Sequence, residues 1–201
     1  KNPLIVILGF AKRIRDGKGN IDTATQAITD SAQQMQKIVH DVLDFARPLQ
    51  MKTKEEDIKT IINLAYDSCK TKAEETGVIL SADIPDGLIP IEMDGVYMQR
   101  ALINLVNNAM EASGKGQDVV ISASAEKNHL IIKIKDNGSG IDKETINSIF
   151  TPFYSKKIGG TGLGMPIAEK IIKGHQGKIH INSHPGKGTE ITIELPTDKE
   201  R

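Results

Sequence analysis

The chain has 201 residues, with 26 Lys plus Arg balanced by 26 Asp plus Glu, a length that allows one large domain or two small ones and is ample to bury a core. That balance argues against a nucleic-acid binder, which carries a basic excess, and the longest apolar run near the N-terminus, residues 4–8 with Phe10 beyond, is far short of the roughly 18 residues of a membrane span. The single cysteine, Cys69, falls on the apolar stripe of a predicted helix and reads as a buried, inert thiol in a reducing, cytoplasmic compartment, while the five histidines lack the H-E-x-x-H spacing of a zinc site.

Residues 1–16 carry Leu4, Ile7, Leu8, Ala11 and Ile14 at helical spacing, and Asp16-Gly17-Lys18-Gly19-Asn20 then stops the helix with turn residues. A second helix follows, capped by Asp22 or Thr23, with Thr23 and Gln26 at capping-box spacing. Along it Ile28, Ser31, Met35, Ile38, Val42 and Phe45 recur as the core positions of a seven-residue repeat, a coiled-coil-like seam. Arg47-Pro48 ends it, because proline disfavours the helical conformation in the residue before it. Two antiparallel helices cannot bury a stripe on each side by themselves, so the hairpin predicts a homodimer in which two copies form a four-helix bundle. The domain boundary falls near residue 48, giving 1–48 and 49–201.

Beyond that point the pattern becomes mixed, which makes the chain α+β. Residues 55–76 predict a helix with Ile58, Ile61, Ile62, Ala65 and Cys69 on one face and Gly77 as its C-terminal cap. Residues 78–82 and 89–93 read as strands, and a helix covers roughly 97–113. Val119, Ile121 and Ala123 alternate, as do Leu130, Ile132 and Ile134 after Glu126-Lys127-Asn128, which describes a hairpin with one buried face. A helix over about 165–173 precedes a second hairpin, in which Ile179 and Ile181 connect through Pro185-Gly186-Lys187-Gly188 to Ile191, Ile193 and Leu195. The whole of 49–201 reads as an α/β sandwich, a largely antiparallel sheet with helices on one face.

Three stretches carry chemistry. In Asn104-Leu105-Val106-Asn107-Asn108-Ala109-Met110-Glu111-Ala112, helical spacing lines up Asn104, Asn108 and Glu111 while Leu102, Leu105, Val106 and Ala109 turn to a core. Asparagine carbonyls on such a wall can coordinate a hard cation that also takes water and substrate phosphates; an amphipathic helix with its amides in water fits the segment equally well. Asp136-Asn137-Gly138-Ser139-Gly140 follows an apolar strand, so it delivers a carboxylate to the sheet rim and then turns. Such a carboxylate can accept a hydrogen bond from an exocyclic amine like that of adenine, although Asp-Asn-Gly is also a common plain turn. Gly159-Gly160-Thr161-Gly162-Leu163-Gly164 runs into a helix, where unshielded amides and the macrodipole suit phosphate. It is neither a Walker loop nor a Rossmann fingerprint. Its glycines predict that residues 142–161 are mobile, as a lid over a ligand would be.

Taken in this order, these elements resemble the catalytic, ATP-binding domain of two-component sensor histidine kinases, the GHKL class with its Bergerat ATP fold. Residues 104–112 look like the N box, 136–141 the first glycine box, Phe150-Thr151-Pro152-Phe153-Tyr154 the F box, 160–165 the second glycine box and Gly186-Lys187-Gly188-Thr189 the last. The resemblance implies ATP and Mg²⁺ as cofactors. It makes Asn108 the metal ligand, Asp136 the reader of adenine, Gly162 and Gly164 backbone binders of phosphate, and Thr189 part of the base pocket. Asn104, Gly138, Gly140, Ile141, Tyr154, Gly160, Thr161, Leu163 and Met165 complete the nucleotide-binding set. Lys157 matches a lysine that follows the F box and would reach the terminal phosphate as a mobile point charge, joining Asn104 in the catalytic set. Glu111 stands where many relatives have lysine, although another branch has Asn-Ala-x-Glu-Ala here.

Residues 1–48 resemble the family's dimerisation and phosphotransfer hairpin, with Lys1-Asn2-Pro3-Leu4 like the end of His-Glu-x-Lys/Arg-Asn-Pro-Leu. The acceptor histidine would lie three places before Lys1, so the chain as given is expected to bind ATP without labelling itself. His40-Asp41 lacks the Asn-Pro-Leu context and reads as a helix-surface or interface histidine. The implied function is a protein-histidine kinase core that passes phosphoryl from ATP to that histidine and then to an aspartate on a response-regulator receiver domain, with no contact to nucleic acid and no membrane contact by this segment. A GHKL hydrolase is disfavoured, because the water-activating glutamate of those enzymes is replaced by Asn104, an amide that takes no proton near neutral pH. A non-catalytic nucleotide-gated dimer or a response-regulator phosphatase module is the other alternative, since Asn2 matches a position from which family members orient water.

Overall fold

The computed structural model describes residues 2–157 and 160–197, and its backbone falls into two compact units. One unit contains the N-terminal helices as far as Pro48 together with the segment Pro152–Leu163; the other contains Leu49–Thr151 and the chain from Gly164 onward.

In the first unit α1 (Pro3–Arg15) and α2 (Ile21–Ala46) form the expected helical hairpin. Asn20, rather than Asp22 or Thr23, caps α2: its side-chain oxygen accepts from the Thr23 N–H at 3.1 Å, and Gln26 donates to Asp30 at 2.7 Å instead of closing a capping box. An extended asparagine at the end of a turn satisfies one of the orphan amides of the first helical turn. Ala24 and Ser31 are the residues buried along α2, and the Ser31 hydroxyl is spent on the Ala27 carbonyl at 2.7 Å. Ile28, Met35, Ile38 and Phe45 of the predicted seam are half-buried, while Leu4, Ile5, Leu8, Val39, Val42 and Leu43 remain exposed.

The second unit is built on a five-stranded sheet, β2 (Ile79–Asp83), β4 (Asp118–Glu126), β5 (His129–Asp136), β6 (Lys178–Ser183) and β7 (Thr189–Pro196), in the order β2-β4-β5-β7-β6. Only β2 and β4 pair in parallel; the other pairs are antiparallel. Alternation puts Val119, Ile121, Leu130, Ile132, Ile134, Ile191, Ile193 and Leu195 on one buried face. Against it pack α3 (Ile58–Thr76), α4 (Gly95–Ala112) and α6 (Gly164–Gly174), with α4 touching α3, α6, β4 and β5. Cys69 is buried on α3, and burial pushes its thiol pKa up against the opposing pull of Lys72.

Two expected helix starts change. Residues 55–57 are not helical: β1 (Lys54–Glu56) pairs antiparallel with β3 (Ile91–Met93) in a separate two-stranded sheet, and α3 starts only after Asp57, whose Oδ1 accepts from the Lys59 N–H at 3.0 Å. The start of α4 moves to Gly95, because Asp94 caps it by accepting from the Tyr97 N–H at 3.1 Å. The stretch read as a mobile lid opens with a helix, α5 (Lys143–Ser148), capped by Asp142, which accepts from both the N–H and the hydroxyl of Thr145.

Asp94 does more than cap. Its Oδ2 accepts from the Lys52 N–H at 2.8 Å, and its own N–H donates to Nε2 of His175 at 2.9 Å. The imidazole Nδ1 lies 2.8 Å from the Ile171 carbonyl, which makes Nδ1 the protonated nitrogen and Nε2 the acceptor. One aspartate thus ties the end of β3, the start of α4, the strand-free segment at Lys52 and the end of α6 together. With its helix so fixed, Leu105 is fully buried at the centre of the layer. Leu105→Ala should cost about 2–5 kcal/mol of unfolding free energy through lost transfer energy and a residual cavity, read as a lower urea midpoint at unchanged slope.

Candidate functional site

The polar stripe of α4 consists of Asn104, Asn107, Asn108 and Glu111, the asparagines half-buried. Asn104 and Asn108 face the first residue of α6. A Cβ placed on Gly164 would lie 3.6 Å from Asn108 Nδ2 and 3.9 Å from Asn104 Oδ1, so two side-chain amides border an unshielded helix N-terminus. Glu111 is turned towards α3, where Lys72 Nζ donates to Glu111 Oε1 and to Asn107 Oδ1, each at 3.0 Å. Among the described residues no cluster of three or more His, Cys, Asp or Glu side chains could hold a metal by itself. A cation here would take an amide oxygen and the oxygens of its ligand, the mode hard cations such as Mg²⁺ adopt with phosphates.

At the sheet rim, register places Asp136 of β5 opposite Thr189 of β7, and Thr189 opposite Ser183 of β6. Asp136 is 4% exposed and Thr189 5%. The Asp136 Oδ1 accepts from the N–H of Gly138 at 2.9 Å and of Thr189 at 3.2 Å. Ser183 Oγ lies 2.9 Å from Thr189 Oγ1, donates to the Gly188 carbonyl at 2.9 Å and accepts from the Ile141 N–H at 2.8 Å. The turn after β5 is thereby stitched to the β6–β7 hairpin, and the Ser139 carbonyl adds a bond from the Gly186 N–H at 2.7 Å. Glycine is required where these backbones meet. Gly140 (φ +66°) and Gly188 (φ +83°) lie in the left-handed region, and a Cβ on either would collide with a carbonyl oxygen, of His184 and Asp136 respectively. Gly138 is flush against the Ala112 carbonyl at the end of α4, which also accepts from the Ser139 N–H at 3.0 Å.

Asn104, Asn108, Asp136, Gly138, Gly140, Ile141, Gly164, Met165 and Thr189 therefore belong to one unit, while Tyr154, Lys157, Gly160, Thr161, Gly162 and Leu163 belong to the other, with Asn2. Gly159 lies outside the described residues, as does Lys1. Leu163 and Met165 have buried side chains, so a ligand would meet them through backbone. The Phe153 N–H donates to the Gly162 carbonyl at 3.1 Å, and Gly162, at φ +67°, is packed too closely against Phe153 and Tyr154 for a side chain. Thr161 Oγ1 donates to Asp41 Oδ2 on α2 at 2.9 Å. Lys157 is exposed. Asn2 is the N-cap of α1, its Oδ1 accepting from the Leu4 N–H at 3.0 Å. Sequence reading missed Ser183, Lys72 and Asp41. Ser183 was detectable in principle as the polar end of the 179/181 alternation, opposite Thr189 across the hairpin; Lys72 and Asp41 carry no local signal.

Residues 93–199 match the model of the histidine kinase-, DNA gyrase B- and HSP90-like ATPases. The chain belongs to that family. Residues 1–50 of this family member also match the His Kinase A phospho-acceptor domain. Its relatives are sensor histidine kinases: sporulation kinase E of Bacillus subtilis (strain 168) is 29% identical over 198 residues, covering 98% of this chain and 27% of the relative. Sensor histidine kinase ZraS of Escherichia coli (strain K12) is 29% identical over 201 residues, covering 98% and 43%. The chain thus spans well under half the length of the curated relatives it matches. Among solved structures, the fold matches histidine kinase AdeS of Acinetobacter baumannii with a TM-score of 0.81 at 22% identity, over 98% of this chain and 96% of that one. It matches histidine kinase ThkA, solved in complex with the response regulator protein TrrA, with a TM-score of 0.84 at 24% identity, over 100% and 59%. The separate catalytic domain of ThkA gives 0.67 at 28% identity, over 73% and 97%.

The stitching by Ser183 predicts a measurable weakness in this GHKL-type ATPase fold. Ser183→Ala leaves the Ile141 N–H without its acceptor, at a cost of about 1–3 kcal/mol, and amide exchange at Ile141 should accelerate by the corresponding factor. Unchanged protection at Ile141 would show that the hydroxyl does not hold the turn.

Proposed function

We propose that the chain is the kinase core of a two-component sensor, binding Mg-ATP in the second unit and passing its γ-phosphoryl group to a histidine imidazole and then to a response-regulator aspartate. The observation that carries this reading is the buried Asp136 carboxylate, whose Oδ1 is fixed by the Gly138 and Thr189 amides. A carboxylate held by backbone donors is an acceptor of defined direction, suited to a base that presents an exocyclic amine and unsuited to one that presents a carbonyl. At the 6-position adenine presents an amine to such an acceptor, whereas guanine presents a carbonyl there.

The triphosphate would run towards the amides at the start of α6 and the loop ahead of it, with Lys157 proposed as the point charge for its terminal phosphate. Asn108, beside that helix start, supplies the amide oxygen for Mg²⁺, which when bound neutralises phosphate charge. The acceptor nitrogen forms its bond to phosphorus as the bond to the bridging oxygen breaks, and ADP leaves. Asn104 supports transfer over hydrolysis, because an amide cannot take a proton from water near neutral pH. The functional division we assign is 1–48 for dimerisation and phosphotransfer and 49–201 for catalysis. The exposed apolar side chains of α1 and α2 support a homodimer that covers them, and the receiver domain of a response regulator is the proposed partner. No helix among the described residues is long and apolar enough to cross a membrane.

With Lys1-Asn2-Pro3-Leu4 read as the end of the family's phospho-acceptor motif, the proposed acceptor would lie three residues before Lys1. A chain extended upstream through that histidine should acquire an acid-labile, base-stable label from γ-labelled ATP; glutamine in its place, or Asn108→Ala in the extended chain, should abolish the label. Binding of Mg-ATP without any label would favour a phosphatase or nucleotide-gated role instead.

Asp136→Asn tests the base reading separately. The Gly138 and Thr189 amides will hold the new side-chain oxygen where Oδ1 now sits, which turns the NH₂ group against the adenine amine. Affinity for ATP should fall roughly ten- to a hundred-fold, the worth of a charge-assisted hydrogen bond, measured by calorimetry; equal competition by ATP and GTP before and after the change would exclude Asp136 as the reader.

A further inference from the structure

Residues 152–163 are compact with the helical hairpin, and the bond that marks this association joins residues 120 apart: Thr161 Oγ1 to Asp41 Oδ2 at 2.9 Å, with both side chains part-buried. Asp41 lies in the last third of α2. Within the described part of this segment the Phe153 N–H donates to the Gly162 carbonyl and Ser155 Oγ accepts from the Lys157 N–H at 3.1 Å. A contact at Thr161 therefore holds its neighbour Gly162 and, through Gly162, Phe153. The hydroxyl is also the acceptor for the Leu163 N–H at 3.4 Å, so its proton is directed at Asp41 and the neighbouring amide is already engaged.

A threonine hydroxyl has a single proton to donate. It can go to the Asp41 carboxylate or to a phosphate oxygen, not to both, and the Leu163 amide faces the same choice. A carboxylate at the loop also repels a polyanion. We propose that Asp41 is a positioning residue that latches the glycine loop: it holds the Thr161 hydroxyl, so that nucleotide phosphates and the hairpin compete for one donor. Because coupling free energies are reciprocal, a nucleotide that takes Thr161 releases the loop from α2 to the same degree that Asp41 weakens nucleotide binding. The nucleotide-bound state of the loop is thereby communicated to the helix that carries Asp41. This rests on the ATP-binding reading for its ligand, but not for the contact itself.

The test uses the 201-residue chain with Asp41→Ala, Asp41→Asn and Thr161→Ser. Without nucleotide, amide exchange across 152–163 should accelerate in Asp41→Ala, stay near wild type in Thr161→Ser, which keeps a hydroxyl, and fall between in Asp41→Asn, whose carbonyl oxygen still accepts. By calorimetry Asp41→Ala should bind Mg-ATP roughly tenfold more tightly, the equivalent of one hydrogen bond to a charged group. A residue with a merely structural role would lower the melting temperature without tightening nucleotide. Unchanged loop exchange in Asp41→Ala, or unchanged or weaker Mg-ATP affinity with faster exchange, overturns the latch. If the wild-type chain binds no Mg-ATP, the ATP-binding reading fails, and loop exchange without nucleotide still decides whether Asp41 holds the loop.

Discussion

A carboxylate buried at the end of a strand has to be met by donors, and nearly everything at the rim of this sheet follows from how Asp136 is met. Burying a charge without partners costs several kcal/mol, and here the first donors are backbone amides from its own turn and from the facing strand. For the Gly138 amide to point back, the chain must turn sharply, which carries it flush against the Ala112 carbonyl. For the Thr189 amide to arrive, β7 must be in register and Gly188 must pass directly over the Asp136 carbonyl. One charge therefore fixes a turn, a strand register and the identity of glycines on two different loops.

The sequence disclosed most where its signals are local. The alternation of Val119, Ile121 and Ala123 with Leu130, Ile132 and Ile134 determined a hairpin, and the polar stripe on α4 followed from helical spacing. The errors also have local causes. Glu55 and Glu56 are good helix formers, so the propensity of the segment favours an early start to α3; pairing with β3 overrides it, a tertiary contact that propensity does not encode. Asn20 was grouped with the turn before α2, although an asparagine ending a turn is a strong cap. The bonds from Ile141 to Ser183, from Lys72 to Glu111 and from Thr161 to Asp41 span 42, 39 and 120 residues. No pattern along the chain records such contacts, because each partner obeys its own element's periodicity and only the packing decides whether they meet.

Charge in the α4 stripe is arranged asymmetrically. Glu111 is paired by Lys72 on the α3 side, whereas the α6 side offers the neutral amides of Asn104 and Asn108 beside a helix N-terminus. A neutral, polar wall next to a positive helix end favours an anionic ligand with its own cation over a bare metal. The lysine on α3 keeps the one carboxylate of the stripe from opposing that ligand's charge.

The order of strands has a consequence for synthesis of the chain. β5 lies at the middle of the sheet with β4 on one side and β7 on the other, and β7 begins 53 residues after β5 ends. During translation, at about 5–20 residues per second, Asp136 emerges seconds before Thr189 exists. Through that interval the inner strand is an open edge and the carboxylate lacks the Thr189 amide, so the nascent sheet is exposed to mispairing. The rim cannot be completed until the last hairpin has left the ribosome and closed onto the strand that precedes it. Assembly of the rim then waits for β7, and a chain that stops before Thr189 carries α4 and the turn after β5 without the strand that aligns them.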